Sequence, residues 1–295
     1  MAAGTMVGRP RIERKQSSLW RDAARRFARN KMAMAGFIGV LLLVGMTIFA
    51  PQIAPYHYTK ANYSAAWQFP SLQWPMGTDG MGRDMLSRII YGSRVSITVG
   101  VVAQLLAFAI GVPFGAIAGL YGGKVDYLMM RLVDIASAFP RLLFAILIMT
   151  LLGSGLSNIL VAIAITGWIE VARLTRGQIL SLREKDFITA AVCLGANARR
   201  IVVSHLLPNC LTPLTVSLTL GIPRVIFTEA GLSFLGLGVN PPEPSWGLMV
   251  GESIAYIRYY WYMALFPAIM IGLTMLAFTL TGDGLRDALD PSLKD

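Results

Sequence analysis

Charge is what this sequence has least of. Asp, Glu, Lys and Arg supply 14% of the 295 residues, hydrophobic residues supply 55%, and the mean hydropathy is +0.59. A soluble domain of this length needs far less apolar material to fill its core, so the expected class is an all-α, polytopic membrane protein. Cysteine is nearly absent. Cys193 and Cys210 lie in or beside one polar stretch rather than in a spaced extracellular set, which excludes a disulfide framework and leaves structural thiols. The two histidines, His57 and His205, are expected on opposite sides of the membrane, so no histidine cluster can hold a metal. The sequence has no GxxxxGK loop, no serine elbow and no paired acid and base. ATP hydrolysis therefore cannot originate in this polypeptide, and no catalytic residue is assigned.

What is present is a series of apolar runs. Met32 to Thr59 is uncharged, with its most apolar part from Ala35 to Ala54, long enough at 1.5 Å per residue to cross about 30 Å of hydrocarbon. A cleaved signal peptide is not expected: a basic region of 31 residues precedes the run, Pro51 and Pro55 end it, and no small-residue cleavage site is convincing. Further spans are expected within Val95 to Gly123, from about Tyr127 to Leu152, over a short Leu156 to Ala172, from Cys210 to Thr228 with interruptions at Pro213 and Pro223, and from Tyr259 to Thr281. Six spans put both termini on one side. With the N-terminus inside, 19 of the 26 basic residues fall on the inner side, as the positive-inside rule requires. The net charge of +10 is thus a topology signal, and nucleic acid is not expected as a partner. The expected divisions are a basic cytoplasmic segment 1–31, a first span 32–58, an external loop 59–94 and a core 95–281. The core contains a cytoplasmic loop 172–208 and an external loop 229–258, and a cytoplasmic tail 282–295 follows it.

The loop 172–208 is a polar island holding six basic residues. Ser181 and Glu184 fit a capping box opening a helix from Leu182 to Leu194, with Phe187, Ala190, Ala191 and Leu194 on one face and Arg183, Glu184 and Lys185 toward water. Gly195 is a natural stop. Asn197 can cap a second short helix carrying Arg199, Arg200 and His205, which must end near Pro208. Two readings stand side by side: a compact knob whose small Ala190-Ala191 face enters a partner's groove while the arginines secure the rim, or an interfacial segment lying on phospholipid.

This stretch resembles the cytoplasmic loop of permease subunits in binding-protein-dependent ABC importers. That loop reads Glu-Ala-Ala, three residues, Gly, nine residues, Ile, any residue, Leu-Pro. Thr189, Ala190, Ala191, Gly195, His205, Leu207 and Pro208 occupy those places, with Thr189 and His205 departing from the usual Glu and Ile. Four further stretches narrow the resemblance to the C-type permease of dipeptide, oligopeptide and nickel importers: Leu19 to Lys31, Gly77 to Asp84 with Ser87-Arg88 and Tyr91 to Arg94, Met130 to Asp134 with Phe139-Pro140, and Leu232 to Gly247. The resemblance implies a type I importer permease fold in a bacterial inner membrane. It also implies coupling helices that insert into an ATPase subunit and, as partners, a homologous B-type permease, two nucleotide-binding subunits that hold ATP and magnesium, and an extracytoplasmic binding protein. Short peptides are the expected cargo, nickel the alternative.

Outside the knob, Gly82, Arg83 and Asp84 read either as a turn capping the amphipathic segment Asp84 to Arg94 or as a stiffener of the outer mouth. Arg131 and Asp134 are one turn apart and can pair in support of the fold. Arg141 lines the pathway or reaches the outer interface. Arg224, just after Pro223, supports a polar cavity or anchors a span end. Phe234 and Leu235 belong to a run that re-enters the membrane edge or packs over the outer gate. Trp246 is read as an interface anchor with nearby tyrosines as a belt, and Asp79, Glu229, Glu243 and Glu252 add acidity outside. A secondary carrier is the competing class. It needs a carboxylate near mid-membrane or inverted repeats, and the acidic candidates are expected near span ends.

Overall fold

A computed structural model describes residues 19–289; the basic residues before position 19, Lys294 and the end of the tail lie outside the described residues. Apart from one isolated β-bridge between Thr78 and Asp84, regular structure in the described residues is helical. Helix α1 (Leu19–Arg29) leads into α2 (Lys31–Ile48) through Asn30, whose Oδ1 accepts from the amides of Met32 (3.1 Å) and Ala33 (3.2 Å). A short α3 (Ala50–Ile53) follows, tolerating Pro51 in its first turn. The remaining helices are α4 (Met85–Tyr121), α5 (Gly123–Ser137), α6 (Arg141–Leu152), α7 (Leu156–Arg183), α8 (Asp186–Cys193), α9 (Ala198–Arg200), α10 (Leu207–Phe234), α11 (Trp246–Ser253) and α12 (Tyr262–Leu289). A π-helical turn, Ile201–Leu206, joins α9 to α10.

Five helical runs are long and apolar enough to cross a membrane: α2, α4, α7, the run 198–234 and α12. Helices α5 and α6 meet the same test only together, bent by 82°. At one end of the bundle the Arg183 guanidinium donates to the Gly119 carbonyl at 3.1 Å, joining the ends of α7 and α4. At the opposite end the Gly155 amide donates to the Gly238 carbonyl at 3.1 Å, just before α7 begins. The α5–α6 pair must carry the chain between those ends, and so makes the sixth passage.

The helices differ from the sequence expectation mainly in length. The segment Asp84 to Arg94 is no separate external helix: Asp84 caps α4, its Oδ2 accepting from the Ser87 amide (2.8 Å) and hydroxyl (2.6 Å), and the helix runs unbroken to Tyr121. The fourth span is not short, because α7 continues through residues 172–183. Pro213 and Pro223 do not interrupt α10; a proline inside a span loses one amide, and packed neighbours tolerate the freed carbonyl. Residues 229–234 are the last turns of α10 rather than external loop, and α12 runs on past Thr281 to Leu289.

The longest helix–helix seam joins α4 to α7. Gly111, Gly115 and Gly119 recur every four residues on α4. A Cβ on them would lie 2.7 Å from the Trp168 carbonyl, 2.3 Å from the Ala172 carbonyl and 2.8 Å from Ile179. Small residues at this spacing let two backbones approach where no hydrophobic force drives helices together in lipid. The α2–α12 contact repeats the device with Gly36 and Gly284.

The end away from α8 is held by buried polar contacts. Asp79 accepts at Oδ1 from the amides of Met81 and Arg83, each 2.9 Å, and at Oδ2 from Arg83 Nε (2.6 Å) and Arg88 Nη1 (2.8 Å). Arg88 also donates to Glu252 at 2.8 Å. Glu229, fully buried, accepts from the hydroxyls of Ser233 (2.7 Å) and Ser96 (3.1 Å). Three of the four acids read as external charge are therefore engaged within the fold. Trp246 is likewise no interface anchor: it is fully buried and donates from Nε1 to the Ile89 carbonyl at 3.0 Å. Tyr262 is buried too, donating to the Thr78 carbonyl at 2.8 Å, whereas Tyr256, Tyr259 and Trp261 are exposed.

The seam predicts the behaviour of one pair of variants. Gly115→Leu overpacks the α4–α7 contact, a cost of roughly 1–3 kcal/mol, and should lower the thermal midpoint of the detergent-solubilised protein by several degrees. Gly45→Leu, at a glycine whose Cβ would meet nothing within 4 Å, should leave it unchanged.

Candidate functional site: a charged cavity and a projecting helix pair

Glu170 lies midway along α7, and two arginines from other helices converge on it. Arg141 Nη1 donates to Oε1 at 3.2 Å and Arg224 Nη1 donates to Oε2. The α5–α6 bend creates this meeting. Ala138, Phe139 and Pro140 break the helix, Pro140 precedes the first residue of α6, and Arg141 thus enters mid-bundle rather than continuing toward an interface. There it stands at the positive end of α6, an unfavourable place for a cation that a facing carboxylate offsets. Gly167, one turn before Glu170, makes room: a Cβ there would lie 3.2 Å from Arg141 Nη2.

The three charges border a cavity of about 520 Å³ that also takes in Gln104 of α4, Ser217 and Gly221 of α10, and Arg286 and Leu289 near the end of α12. Gly221 leaves space for the Gln104 amide, which a Cβ would meet at 2.1 Å. The cavity thus runs from mid-bundle toward the end that carries α8. Toward the other end of the bundle the helices pack around an apolar cluster that includes Val95, Val99, Met149, Ile163, Val225 and Leu232. Arg141 and Arg224 therefore both border the cavity, whose lining is otherwise largely apolar; neither is an end anchor. Hydropathy alone ends the fourth span at Ala172 and so puts Glu170 at a span end. With α7 running to Arg183, it is central.

Further along α7, Arg173 donates to Asp134 (2.9 Å) and Ser137 (2.8 Å), and Arg176 pairs with Asp126 through both Nε and Nη2. The expected Arg131–Asp134 pair does not form. Arg131 donates instead to the Tyr127 hydroxyl at 3.0 Å and lies over its ring, while Asp134 turns to α7.

Beyond α7 the polar stretch folds into the projecting pair, with several changes from expectation. Ser181 and Glu184 form no capping box: Ser181 is inside α7, and α8 begins after Lys185 without a side-chain cap. Arg183 faces back onto α4 at Gly119 rather than toward a partner's rim. The second helix does not end at Pro208, because the π-helical turn carries the chain into α10. The Leu207 amide reaches back to the Val202 carbonyl, and the wider turn brings in proline at the start of the next helix, where its missing amide costs little. Gly195 has φ +80° and ends α8, and Asn197 Oδ1 accepts from the Arg200 amide at 2.9 Å.

Ile188, Ile201 and Leu206 are buried against Ala116 of α4, Ile179 of α7 and Cys210 and Leu214 of α10, fixing the pair to the bundle, and Ala191 is buried as well. Ala191 therefore turns inward, away from the face expected to carry it. Phe187, Thr189, Ala190, Val192 and Leu194 stay exposed, Leu194 at 88%. Arg199, Arg200 and Pro208 are exposed; His205 and Leu207 are half-buried. Phe234 and Leu235 lie exposed at the other end of the bundle, closing α10. They are helix terminus, not a re-entrant loop.

Residues 111–295 match the family model described as the binding-protein-dependent transport system inner membrane component, and residues 18–75 match the N-terminal TM domain of oligopeptide transport permease C. The chain belongs to the binding-protein-dependent transport permeases. It is 45% identical to the oligopeptide transport system permease protein OppC of Bacillus subtilis (strain 168), over 99% of this chain and 96% of that one. It is 42% identical to the dipeptide transport system permease protein DppC of the same organism, over 96% and 89%. It is 44% identical to the glutathione transport system permease protein GsiD of Escherichia coli O6:K15:H31, over 93% and 91%. A solved inward-facing structure of the MetNI methionine ABC transporter shares the fold, with a TM-score of 0.60 at 19% identity over 70% of this chain and 98% of that one. A permease of this family is a non-catalytic, multi-pass component of an inner-membrane ABC transport complex.

The permease's two thiols differ in surroundings, Cys193 exposed and Cys210 buried. A water-soluble maleimide should label Cys193 of the isolated permease within minutes and Cys210 only after denaturation. Equal labelling of both thiols in the folded permease would contradict the packing of α10 beneath the helix pair.

Proposed function

We propose that this permease forms half of the translocation pathway of an ATP-driven importer of short peptides. It pairs with a homologous B-type permease, receives its cargo from an extracytoplasmic binding protein, and docks α8 and α9 on cytoplasmic nucleotide-binding subunits that carry ATP and magnesium. Both termini and the helix pair then face the cytoplasm, in keeping with the positive-inside bias. The observation that carries the docking is the exposed apolar crest of Phe187, Val192 and Leu194 on an otherwise polar loop, flanked by Arg199 and Arg200. Lipid is the wrong occupant for such a crest, because Ile188 and Ile201 anchor it to the bundle, and the π-helical turn carries it directly into the cavity-lining helix α10.

Peptides rather than nickel are favoured because the oligopeptide, dipeptide and glutathione permeases compared above all move peptidic cargo by name. In this orientation the cavity reaches toward the cytoplasm and the apolar cluster lies on the outer side of it. Closure of the ATPase pair would push α8 and α9, turn α10 and open the outer side to the binding protein; hydrolysis would reset it. A ligand moves such an equilibrium only through its differential affinity for the two states, and about 5.5 kcal/mol swings it from 1:99 to 99:1.

Gly195→Pro, or Arg199→Glu with Arg200→Glu, should therefore uncouple the two processes. Peptide uptake per ATP hydrolysed is expected to fall by roughly 5- to 150-fold, the range of a coupling free energy of about 1–3 kcal/mol, while the amount of permease inserted in the membrane stays unchanged. Normal coupling in normally assembled variants would contradict the proposal.

A further inference from the structure

The cavity carries more positive charge than its own residues neutralise. Arg141 and Arg224 share one carboxylate, and each gives it a single N–H, so most of each five-donor guanidinium remains uncommitted. Glu170 is the only acid lining the cavity among the described residues, and Arg286 adds a third cation. Glu170 and Arg224 are more than half exposed, at 57% and 59%, and Arg141 is 28% exposed, so the uncommitted donors face an open cavity that an anion can enter; an unpartnered charge along a membrane-spanning bundle favours such a counter-ion. Planar guanidinium forks match the geometry of a carboxylate better than any other common anion-binding side chain. The volume, about 520 Å³, lies within the range of small-molecule sites.

The geometry points to a carboxylate-binding subsite in the translocation pathway, in which Arg141 and Arg224 exchange Glu170 for the free C-terminal carboxylate of the passing peptide. Glu170 acts as the resident stand-in: it holds the two arginines in place when no cargo is present and competes with the cargo, so that the peptide is released rather than trapped. This inference rests on the peptide-importer reading and adds the chemical group that the permease itself recognises.

The test compares uptake of one short peptide with that of its C-terminal amide by the complete transporter with its binding protein. Any preference of the binding protein is the same for wild type and variants, so only the change in the acid-to-amide ratio is read. Arg224→Gln and Arg141→Gln should each lower uptake of the free acid by about tenfold or more, the loss of a charge-assisted hydrogen bond, and change uptake of the amide less than twofold. Glu170→Gln removes the competing anion and should shift the ratio toward the free acid; it serves as the informative variant if an arginine substitution prevents assembly. Equal losses for acid and amide in assembled arginine variants, or an unchanged ratio in Glu170→Gln, would overturn the subsite and leave the importer reading standing. Failure of the wild-type complex to take up either peptide would overturn the peptide reading itself, and the subsite with it.

Discussion

A charge inside the hydrocarbon layer must find a counter-charge, and in this permease α7 is where most of them do. Glu170, Arg173 and Arg176 follow one another at three-residue intervals and bind, in turn, Arg141 and Arg224, Asp134, and Asp126. The contacts reach three other helices: α6 and α10 at the first, α5 at the other two. The glycine seam sets α4 against another side of the same helix. One helix thus fixes the bend between α5 and α6, the position of the cavity and the start of the projecting pair. The end of the bundle away from α8 obeys the same rule with a separate set, in which Arg88 joins Asp79 and Glu252.

The cavity and the helix pair are mechanically one object. Helix α10 borders the cavity with Ser217, Gly221 and Arg224 and begins directly from the π-helical turn of the pair. Helix α9 runs through that turn into α10 without a break, and α8 is joined to α9 by the short turn 194–197. That continuity gives the proline at position 208 a role different from a stop: it starts the cavity-lining helix.

Much of this was legible in the sequence. Long apolar runs give the all-α membrane class and the number of passages, and the charge bias supplies an orientation. Gly195 and Asn197 announce the break between α8 and α9 because their backbone chemistry is local. What hid from sequence reasoning was whatever depends on a partner far along the chain. Ser181 and Glu184 satisfy a capping pattern, yet packing on α4 keeps Ser181 inside α7. Asp134 has an arginine one turn away but meets Arg173 instead, since the α5–α7 contact brings that one closer. Hydropathy ended the fourth span where polar residues began, and so concealed that Glu170, Arg173 and Arg176 continue the same helix with their charges matched across the bundle.

In the proposed function this permease moves peptide only when a separate ATPase drives it through the helix pair. The most direct measurement is peptide uptake into proteoliposomes holding the complete complex and binding protein, compared with the same complex carrying hydrolysis-deficient nucleotide-binding subunits. Concentrative uptake is expected in the first and none in the second. Uptake unaffected by the loss of ATP hydrolysis would contradict that function and return the molecule to the class of secondary carriers.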